Sequence, residues 1–184
     1  GKLPDGSPFM VMEYLEGENL AARLERGEST GIQEAVDILI EACAGVADAH
    51  RLGIVHRDLK PENLFLARNA EQVVVKVLDF GISKADVLAS ATRTEGGMGT
   101  PAYAAPEQLR CAVDANATSD VWSLGVVLFE MLTGRAPFEG TAGELLRAHA
   151  SQPAPRLAAA SPSLALPEPA GRRVGSAPRS RRRA

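Results

Sequence analysis

Residues 54–66, IVHRDLKPENLFL, place a histidine, an arginine, an aspartate, a lysine and an asparagine between two apolar runs. Polar groups crowded beside buried strands cost free energy unless they are paired or bind a ligand. A second apolar run, VVVKVL at residues 73–78, follows a short polar connection and leads into LDFG. The runs LFL (64–66) and VVVKVL (73–78) together predict a β-hairpin whose strand ends carry polar side chains.

The polar side chains of this predicted hairpin have the chemistry of a phosphoryl-transfer site. Asn63 and Asp79 offer an amide oxygen and a carboxylate, and a hard cation such as Mg²⁺ prefers oxygen ligands. Lys60 can neutralise a phosphate oxygen, and Asp58 is then available to orient a hydroxyl nucleophile. Phosphoryl transfer needs positioning and charge neutralisation more than covalent chemistry, so these four residues predict that reaction.

Composition limits the class of protein. The 184 residues suit one domain with a tail, and the apolar content of 45% is typical of a chain with a substantial core. The net charge of −3 argues against a nucleic-acid-binding protein. No apolar run reaches the roughly 18 residues of a membrane span, and no signal peptide is visible. Cys43 and Cys111 fit no metal-ligand spacing, which favours a reducing, cytoplasmic location; a disulfide between them is the open alternative.

Periodicity and turn residues predict the elements of the first half of the chain. Residues 9–15, FMVMEYL, are interpreted as a short buried strand, and residues 18–26 as a short helix. Residues 29–53 predict a long helix that begins with a capping box of Thr30 and Gln33. Its predicted buried stripe comprises Ile32, Val36, Leu39, Ile40, Cys43, Val46 and Ala47.

Two further helices are predicted in the second half. SDVWSLGVVLFEMLTG, residues 119–134, is apolar on nearly all sides and therefore predicts a buried helix that ends at Gly134. Residues 141–150 predict a shorter helix. The remaining sequence is rich in proline, alanine, serine and arginine, so we expect residues 156–184 to form a disordered tail after a domain of residues 1–155.

Four motifs occur in the order and spacing of a single family. They are HRDLKPEN (56–63), DFG (79–81), GTPAYAAPE (99–107) and DVWSLG (120–125). Together they resemble the C-terminal lobe of a protein kinase, over roughly residues 1–155. Lys60 and Thr100 resemble the serine/threonine class. The sequences VMEYLEGENL and LTGRAPFEG resemble those of bacterial kinases of the eukaryotic type.

The resemblance implies a fold and an activity. The implied fold is protein-kinase-like and α+β, with a mainly helical C-terminal lobe, short β-hairpins at the cleft and a largely absent N-terminal lobe. The implied activity is transfer of the γ-phosphate of ATP to serine or threonine hydroxyls of proteins, with ATP and Mg²⁺ as cofactors. It names no particular protein substrate, no nucleic-acid partner and no membrane segment.

The resemblance also assigns catalytic roles. Asp58 would accept the proton of the substrate hydroxyl, and Lys60 would contact the transferring phosphate. Asn63 and Asp79 would hold Mg²⁺. Thr100 would tie Asp58 to Lys60 through its hydroxyl.

A second set of roles concerns the nucleotide. Met12 would be the gatekeeper at the back of the adenine pocket, and Glu13 and Leu15 would offer backbone groups to adenine. Asn19 would lie near the ribose. Phe65 would close the adenine pocket from below.

Regulation would centre on Arg57, which in the family pairs with a phosphorylated activation loop. Thr92 and Thr94 are the candidate phosphorylation sites, and a phosphate there would add about −1.5 to −2 charge. The alternative is that both threonines are solvated loop residues.

Other residues would support the site without taking part in the chemistry. Asp120 would hold the backbone of His56 and Arg57, and His56 would be a structural histidine beside Phe80. We further expect Trp122 to belong to the core and Glu107 to be structural.

Some parts of the family's machinery are missing from the sequence. No G-x-G-x-x-G motif and no strand lysine of the VAIK type occur before residue 9. We therefore expect this chain alone to have little or no kinase activity. The alternative function is a non-catalytic kinase-like fragment or interaction module. Small-molecule phosphotransferases share an H-x-D-x₄-N loop, but GTPAYAAPE and DVWSLG argue against them.

Overall fold

The computed structural model describes residues 1–27, 30–69, 72–80 and 101–160. Its helices are α1 (Leu20–Glu25), α2 (Ile32–Arg51), α3 (Pro106–Arg110), α4 (Ala117–Thr133), α5 (Ala142–Ser151) and α6 (Leu157–Ala160). Its strands are β1 (Gly17–Asn19), β2 (Leu64–Arg68) and β3 (Val73–Val77). None of the helices described is long and apolar enough to cross a membrane. The architecture is α+β and mainly helical, as the sequence predicted.

Helix α4 lies at the centre of the described fold. It begins at Asn116, whose side chain accepts a hydrogen bond from Thr118 N, while Ser119 Oγ accepts one from Asn116 N. It ends at Gly134, which has the left-handed conformation (φ 75°) common after helices. Helices α2, α3 and α6 all contact α4. The predicted buried helix is therefore confirmed.

Helix α2 packs against α4 with a face that differs from the predicted one. Its buried residues are Ala35, Ile38, Ala42, Val46 and Ala49. The predicted stripe is wrong for Ile32 and Ile40, which are 50% and 61% exposed, and for Val36 and Cys43, which are also exposed. Helix α2 is apolar on two neighbouring sides, and the side rich in alanine allows the closer approach of the two helix axes.

The predicted capping box of α2 is also wrong. The N-cap residue is Gly31, which has no side chain to accept a bond, and Thr30 lies one position too early. Thr30 Oγ1 is buried without a hydrogen-bond partner among the described residues, and Gln33 Nε2 donates to Asp37 Oδ1. The other end matches the prediction, because Gly53 (φ 75°) follows the helix.

The sheet is antiparallel, in the order β1–β2–β3. The β2–β3 hairpin is the predicted one, with Leu64 opposite Val77. The helix predicted for residues 18–26 is shorter than expected because β1 pairs with β2 first. Helix α1 then starts at the cap Asn19, whose Oδ1 accepts a hydrogen bond from Ala22 N.

Gly17 is required where β1 approaches β2. Its φ of 143° is a conformation that residues with a side chain rarely adopt. A Cβ on Gly17 would lie 2.1 Å from the carbonyl oxygen of Leu66. The close pairing of these strands therefore depends on the absence of a side chain.

The strand predicted for residues 9–15 is wrong. These residues form no strand, and Val11 and Tyr14 are 84% and 90% exposed. Near the first residue of the described chain, the β-type pairing consists of a single antiparallel bridge between Lys2 and Pro8. An apolar β-like run becomes a buried strand only where a neighbour covers it, so pattern alone was insufficient.

The second half of the chain follows the prediction more closely. The short helix expected at residues 141–150 is α5, whose cap Thr141 shares a reciprocal capping box with Glu144. Helix α6 lies just beyond the predicted domain boundary at residue 155 and contacts α4. Residues 161–184 lie outside the described residues, so the proposed division of the chain stays a prediction.

The core lies directly beneath the polar segment of residues 56–63. Leu59 lies within this segment and Leu64 directly follows it. Both are buried in one apolar cluster with residues of α2 and α4. Burial of a leucine is worth about 1.5–3 kcal/mol. These two leucines therefore anchor residues 56–63 to the core.

Candidate active site

Asp120 at the start of α4 fixes residues 56–63, here called the catalytic loop after the role that the resemblance implies. Its Oδ2 accepts a hydrogen bond from His56 N at 2.8 Å, and its Oδ1 accepts one from Arg57 N at 2.9 Å. The Asp120 side chain is buried, so both are charge-assisted bonds shielded from water. The predicted role of Asp120 is confirmed.

His50 is a supporting residue that the sequence did not reveal. Its Nε2 lies 2.7 Å from Asp120 Oδ2, which makes it a third partner of the same carboxylate. A single histidine near the end of an amphipathic helix gives no local signal of such a contact. Its position shortly before the catalytic loop is the one indication available in the sequence.

Two residues of the site have a strained backbone. Arg57 and Asp79 take the left-handed conformation, with φ of 67° and 54°. For residues other than glycine this costs about 1–2 kcal/mol. Such strain persists where surrounding contacts over-determine the conformation, and it clusters at functional sites.

His56 is fully buried and its ring is held in one protonation state. Nε2 donates to the carbonyl oxygen of Leu78 at 2.8 Å, and Nδ1 accepts from Asp58 N at 3.3 Å. Only the neutral ring with its proton on Nε2 can make both bonds. Burial lowers the pKa of His56, which favours the same neutral form. The ring lies 4.8 Å from that of Phe80, so the predicted structural role is confirmed.

Asp58, Lys60 and Asn63 are held close together. Lys60 Nζ lies 3.8 Å from Asp58 Oδ2, and both side chains are partly buried. Asn63 Nδ2 donates to the backbone carbonyl of Asp58 at 2.7 Å. This bond closes the loop and leaves Asn63 Oδ1 without a partner among the described residues.

The two predicted metal ligands lie on adjacent strand ends. Leu78 N donates to the carbonyl oxygen of Asn63 at 2.8 Å, which extends the β2–β3 pairing and brings Asp79 beside Asn63. Within the described ranges, the Asp79 carboxylate and Asn63 Oδ1 are both unengaged. An amide oxygen and a carboxylate are ligand types that Mg²⁺ accepts, with water and phosphate completing its shell, so the residues fit this ion. No group of three His, Cys, Asp or Glu side chains suited to a metal occurs in that same part of the chain.

The predicted nucleotide residues lie near the sheet. Asn19 is opposite Phe65 in the β1–β2 pair, and Phe65 is opposite Lys76 in the β2–β3 pair. Lys76 Nζ donates to Glu13 Oε1 at 3.0 Å, which brings Glu13 to the same strands. Asn19 Oδ1 is already used as the cap of α1.

Two other predicted nucleotide residues differ in burial: Met12 is exposed and Leu15 is partly buried. The nucleotide contacts assigned to these five residues stay predictions.

Three predicted threonines, Thr92, Thr94 and Thr100, lie outside the described residues. Arg57 Nε is buried and has no hydrogen-bond partner among the residues the structure describes. A buried guanidinium nitrogen is costly unless it is paired. The expectation that Arg57 meets a phosphate is compatible with this position and stays a prediction.

Tyr103 and Glu130 form a second contact that the sequence did not reveal. The Tyr103 hydroxyl donates to Glu130 Oε2 at 2.6 Å, and burial raises the pKa of both side chains. Ser123 Oγ also donates to the carbonyl oxygen of Tyr103. These bonds fix the segment after residue 100 to α4, beside the catalytic loop.

Glu107 accepts a hydrogen bond from Ser119 Oγ, which agrees with its predicted structural role. Trp122 is partly buried and packs against His149, with ring centroids 4.9 Å apart. Both residues thus contribute contacts between helices.

Comparisons with known proteins agree with the resemblance that the four motifs indicate. The family model described as "Protein kinase domain" matches residues 4–170. Serine/threonine-protein kinase drp72 of Corynebacterium efficiens is 41% identical over 150 residues, which are 81% of this chain and 28% of that protein. Serine/threonine-protein kinase Pkn1 of Myxococcus xanthus is 45% identical over 153 residues, covering 80% of this chain and 21% of that protein.

A third relative, serine/threonine-protein kinase PknL of Mycobacterium tuberculosis, is 45% identical over 134 residues, which are 72% of this chain and 32% of that protein. The chain thus spans about a third or less of the length of these three relatives. The family match covers the catalytic loop, Asp79 and α4, and it extends past residue 155. The chain therefore belongs to the protein kinase domain family and resembles its bacterial serine/threonine members.

Proposed function

We propose that the gene product containing this chain transfers the γ-phosphate of ATP to serine or threonine hydroxyls of proteins. In this proposal the chain supplies the catalytic loop and the metal-binding residues. The observation that carries it is the hydrogen bond from Leu78 N to the carbonyl oxygen of Asn63, because it sets Asp79 beside the catalytic loop. The names of the relatives, all serine/threonine-protein kinases, support the same reaction.

The proton and the phosphate are handled by neighbouring side chains. Asp58 accepts the proton of the attacking hydroxyl, and its backbone is fixed by Asn63 Nδ2 and by the ring of His56. Lys60 Nζ lies 3.8 Å from the Asp58 carboxylate, so its charge is close to the reacting phosphate. Asn63 and Asp79 hold Mg²⁺, which when bound neutralises charge on the phosphate oxygens. Positioning and charge, not a covalent intermediate, lower the barrier.

The nucleotide belongs beside the sheet in this proposal. Met12, Leu15 and Phe65 contact the adenine, and the backbone at Glu13 and Leu15 exchanges hydrogen bonds with it. Asn19 meets the ribose through its Nδ2, because its Oδ1 caps α1. A phosphate on Thr92 or Thr94 pairs with Arg57, whose Nε is buried and unpaired among the described residues. A cytoplasmic location completes the proposal, since exposed free thiols at Cys43 and Cys111 suit a reducing compartment.

The test is phosphate transfer with a matched pair of variants. The gene product that contains this sequence is incubated with ATP, Mg²⁺ and a generic basic protein, and phosphate incorporation is measured. Asp58→Asn should lower turnover by about 10²–10⁴-fold, the usual contribution of a positioned acid or base. Asp48→Asn, at an exposed aspartate of α2 that pairs with Arg51, should leave turnover unchanged.

Two outcomes contradict the proposal: no transfer by the unmutated protein, or transfer that survives Asp58→Asn. The 184-residue chain assayed in parallel tests the separate expectation that this chain alone has little activity.

A further inference from the structure

Gln108 in α3 uses both ends of its side-chain amide. Its Oε1 accepts a hydrogen bond from Ala105 N at 3.0 Å, which satisfies a backbone donor at the start of α3. Its Nε2 donates to the carbonyl oxygen of Arg57 at 2.9 Å. One planar group thus joins the segment before α3 to the catalytic loop.

The two partners determine which way the amide points. A backbone N–H can only donate, so Ala105 requires the oxygen of Gln108. A backbone carbonyl can only accept, so Arg57 requires the nitrogen. The reversed amide would place like groups together at both contacts, and therefore only one orientation satisfies both.

The carbonyl that Gln108 holds belongs to a strained residue. Arg57 has a φ of 67°, and its N–H is held by Asp120 Oδ1 at 2.9 Å. Asp120 fixes the peptide plane before Arg57, and Gln108 fixes the plane after it. The second plane contains Asp58 N, which donates to His56 Nδ1. Contacts from α3 and α4 together therefore hold Arg57 in its strained conformation.

We propose that Gln108 is a positioning residue of the phosphoryl-transfer site. By holding the Arg57 carbonyl it sets the plane of the Arg57–Asp58 peptide bond and, through it, the direction of the Asp58 carboxylate. This rests on the proposed function, in which Asp58 accepts the substrate proton. A side chain that served only as the cap of α3 would leave Asp58 unaffected.

Two substitutions separate these roles. Gln108→Glu keeps an oxygen for Ala105 N but turns a second oxygen towards the Arg57 carbonyl. Gln108→Met has a similar length and removes both hydrogen bonds. The matched control is Gln152→Glu, which makes the same chemical change at an exposed position at the end of α5.

The first measurement is amide hydrogen exchange in the 184-residue chain, followed by NMR. The Asp58 amide should exchange roughly tenfold faster in both Gln108 variants, as loss of one hydrogen bond predicts, while amides of α2 keep their protection. The Ala105 amide should exchange faster only in Gln108→Met, and Gln152→Glu should change neither. An unchanged Asp58 amide in Gln108→Glu would mean that Gln108 is only a cap, and the proposal would be wrong.

The second measurement is steady-state kinetics of the gene product. Both Gln108 variants should lower kcat by about tenfold or more, because the proton acceptor is misplaced, with the KM for ATP within about twofold of the unmutated value. Suppose that the Asp58 amide exchanges faster in the variants but that the unmutated protein transfers no phosphate. This result would refute the proposed function, while Gln108 would still be shown to set the plane of the Arg57–Asp58 peptide bond. An unchanged kcat of Gln108→Glu in an active protein would refute the positioning role itself.

Discussion

His50 Nε2 and Asp120 Oδ2 lie 2.7 Å apart and complete a set of three hydrogen-bond partners around one buried carboxylate. The other two partners are the backbone N–H groups of His56 and Arg57. Helix α2, helix α4 and the catalytic loop therefore meet at a single side chain. The position of the proposed proton acceptor depends on this junction as much as on its own neighbours.

Replacing Asp120 by asparagine should destabilise the fold. The amide has the same shape, but its NH₂ group cannot accept a hydrogen bond, so a buried donor loses its partner. We expect the free energy of unfolding to fall by roughly 1.5–3 kcal/mol, the range for hydrogen bonds to a charged group. Urea denaturation measures this loss. Asp114→Asn, at an exposed position, should change stability by less than about 0.5 kcal/mol, and equal effects of the two changes would contradict the assignment.

Gly17→Ala should destabilise the pairing of β1 with β2. The added Cβ would lie 2.1 Å from the carbonyl oxygen of Leu66, at a φ of 143°, so the strand has to move. A loss of about 2 kcal/mol or more is expected from backbone strain. The matched change is Gly125→Ala in α4, where a Cβ meets nothing within 4 Å. That variant should gain up to about 1 kcal/mol from helix propensity, and thermal unfolding should shift in opposite directions for the pair.

Acid should destabilise the protein through His56, which is fully buried, and His149, which is partly buried. Burial lowers the pKa of both His56 and His149 below the ordinary value of 6.5. The unfolded chain therefore binds more protons near that pH. The stability from the neutral histidines is complete above pH 6.5 and is lost as pH falls towards their folded pKa values. Glu130, whose pKa burial raises above 4.5, works in the opposite direction.

A His149→Phe variant isolates one of these histidines. The ring of His149 lies between Trp122 and Phe138, with centroids 4.9 Å from each, and neither ring nitrogen has a hydrogen-bond partner among the described residues. Phenylalanine keeps the packing and removes the titration. The variant should lose less stability than the unmutated protein when pH falls below 6.5, measured by denaturation across that range. Parallel pH profiles of the two proteins would contradict this account.

Asp79→Asn should weaken metal-dependent nucleotide binding. It removes the carboxylate of the proposed Mg²⁺ pair and leaves Asn63 in place. Affinity for ATP in the presence of Mg²⁺ should fall by roughly 10–100-fold, since even changes beside metal ligands have effects of that size. Binding of ATP without metal should change little. Calorimetric titration with and without Mg²⁺ measures both, with Asp37→Asn on the exposed side of α2 as the control.

The sequence predicted the elements whose signals are local. Helix α4 is apolar on most sides and ends at a glycine, and the β2–β3 hairpin has two β-rich runs close together. The catalytic loop lies between α2 and β2 in the sequence, and its residues were identified by motif and order. These signals depend little on the rest of the fold, and the structure confirms the elements.

The errors arose where burial depends on a distant partner. Helix α2 has two apolar sides, and only the position of α4 decides that Ala42 is buried and Ile40 exposed. Residues 9–15 have the pattern of a strand, yet in the described residues nothing pairs with them to make one. His50 and Gln108 contact residues that are far away in the sequence, and the periodicity of a segment carries no information about such contacts.

The bonds that shape the catalytic loop also determine when it can form. Asp120 and Gln108 reach His56 and Arg57 across 51 to 64 positions of sequence. Contacts of such separation slow folding, because the loss of entropy on closing the intervening chain precedes the gain from the contact. A peptide of residues 54–66 would have every chemical group of the loop but not its shape. Under the proposed function, a partly folded chain would therefore bind neither metal nor phosphate there.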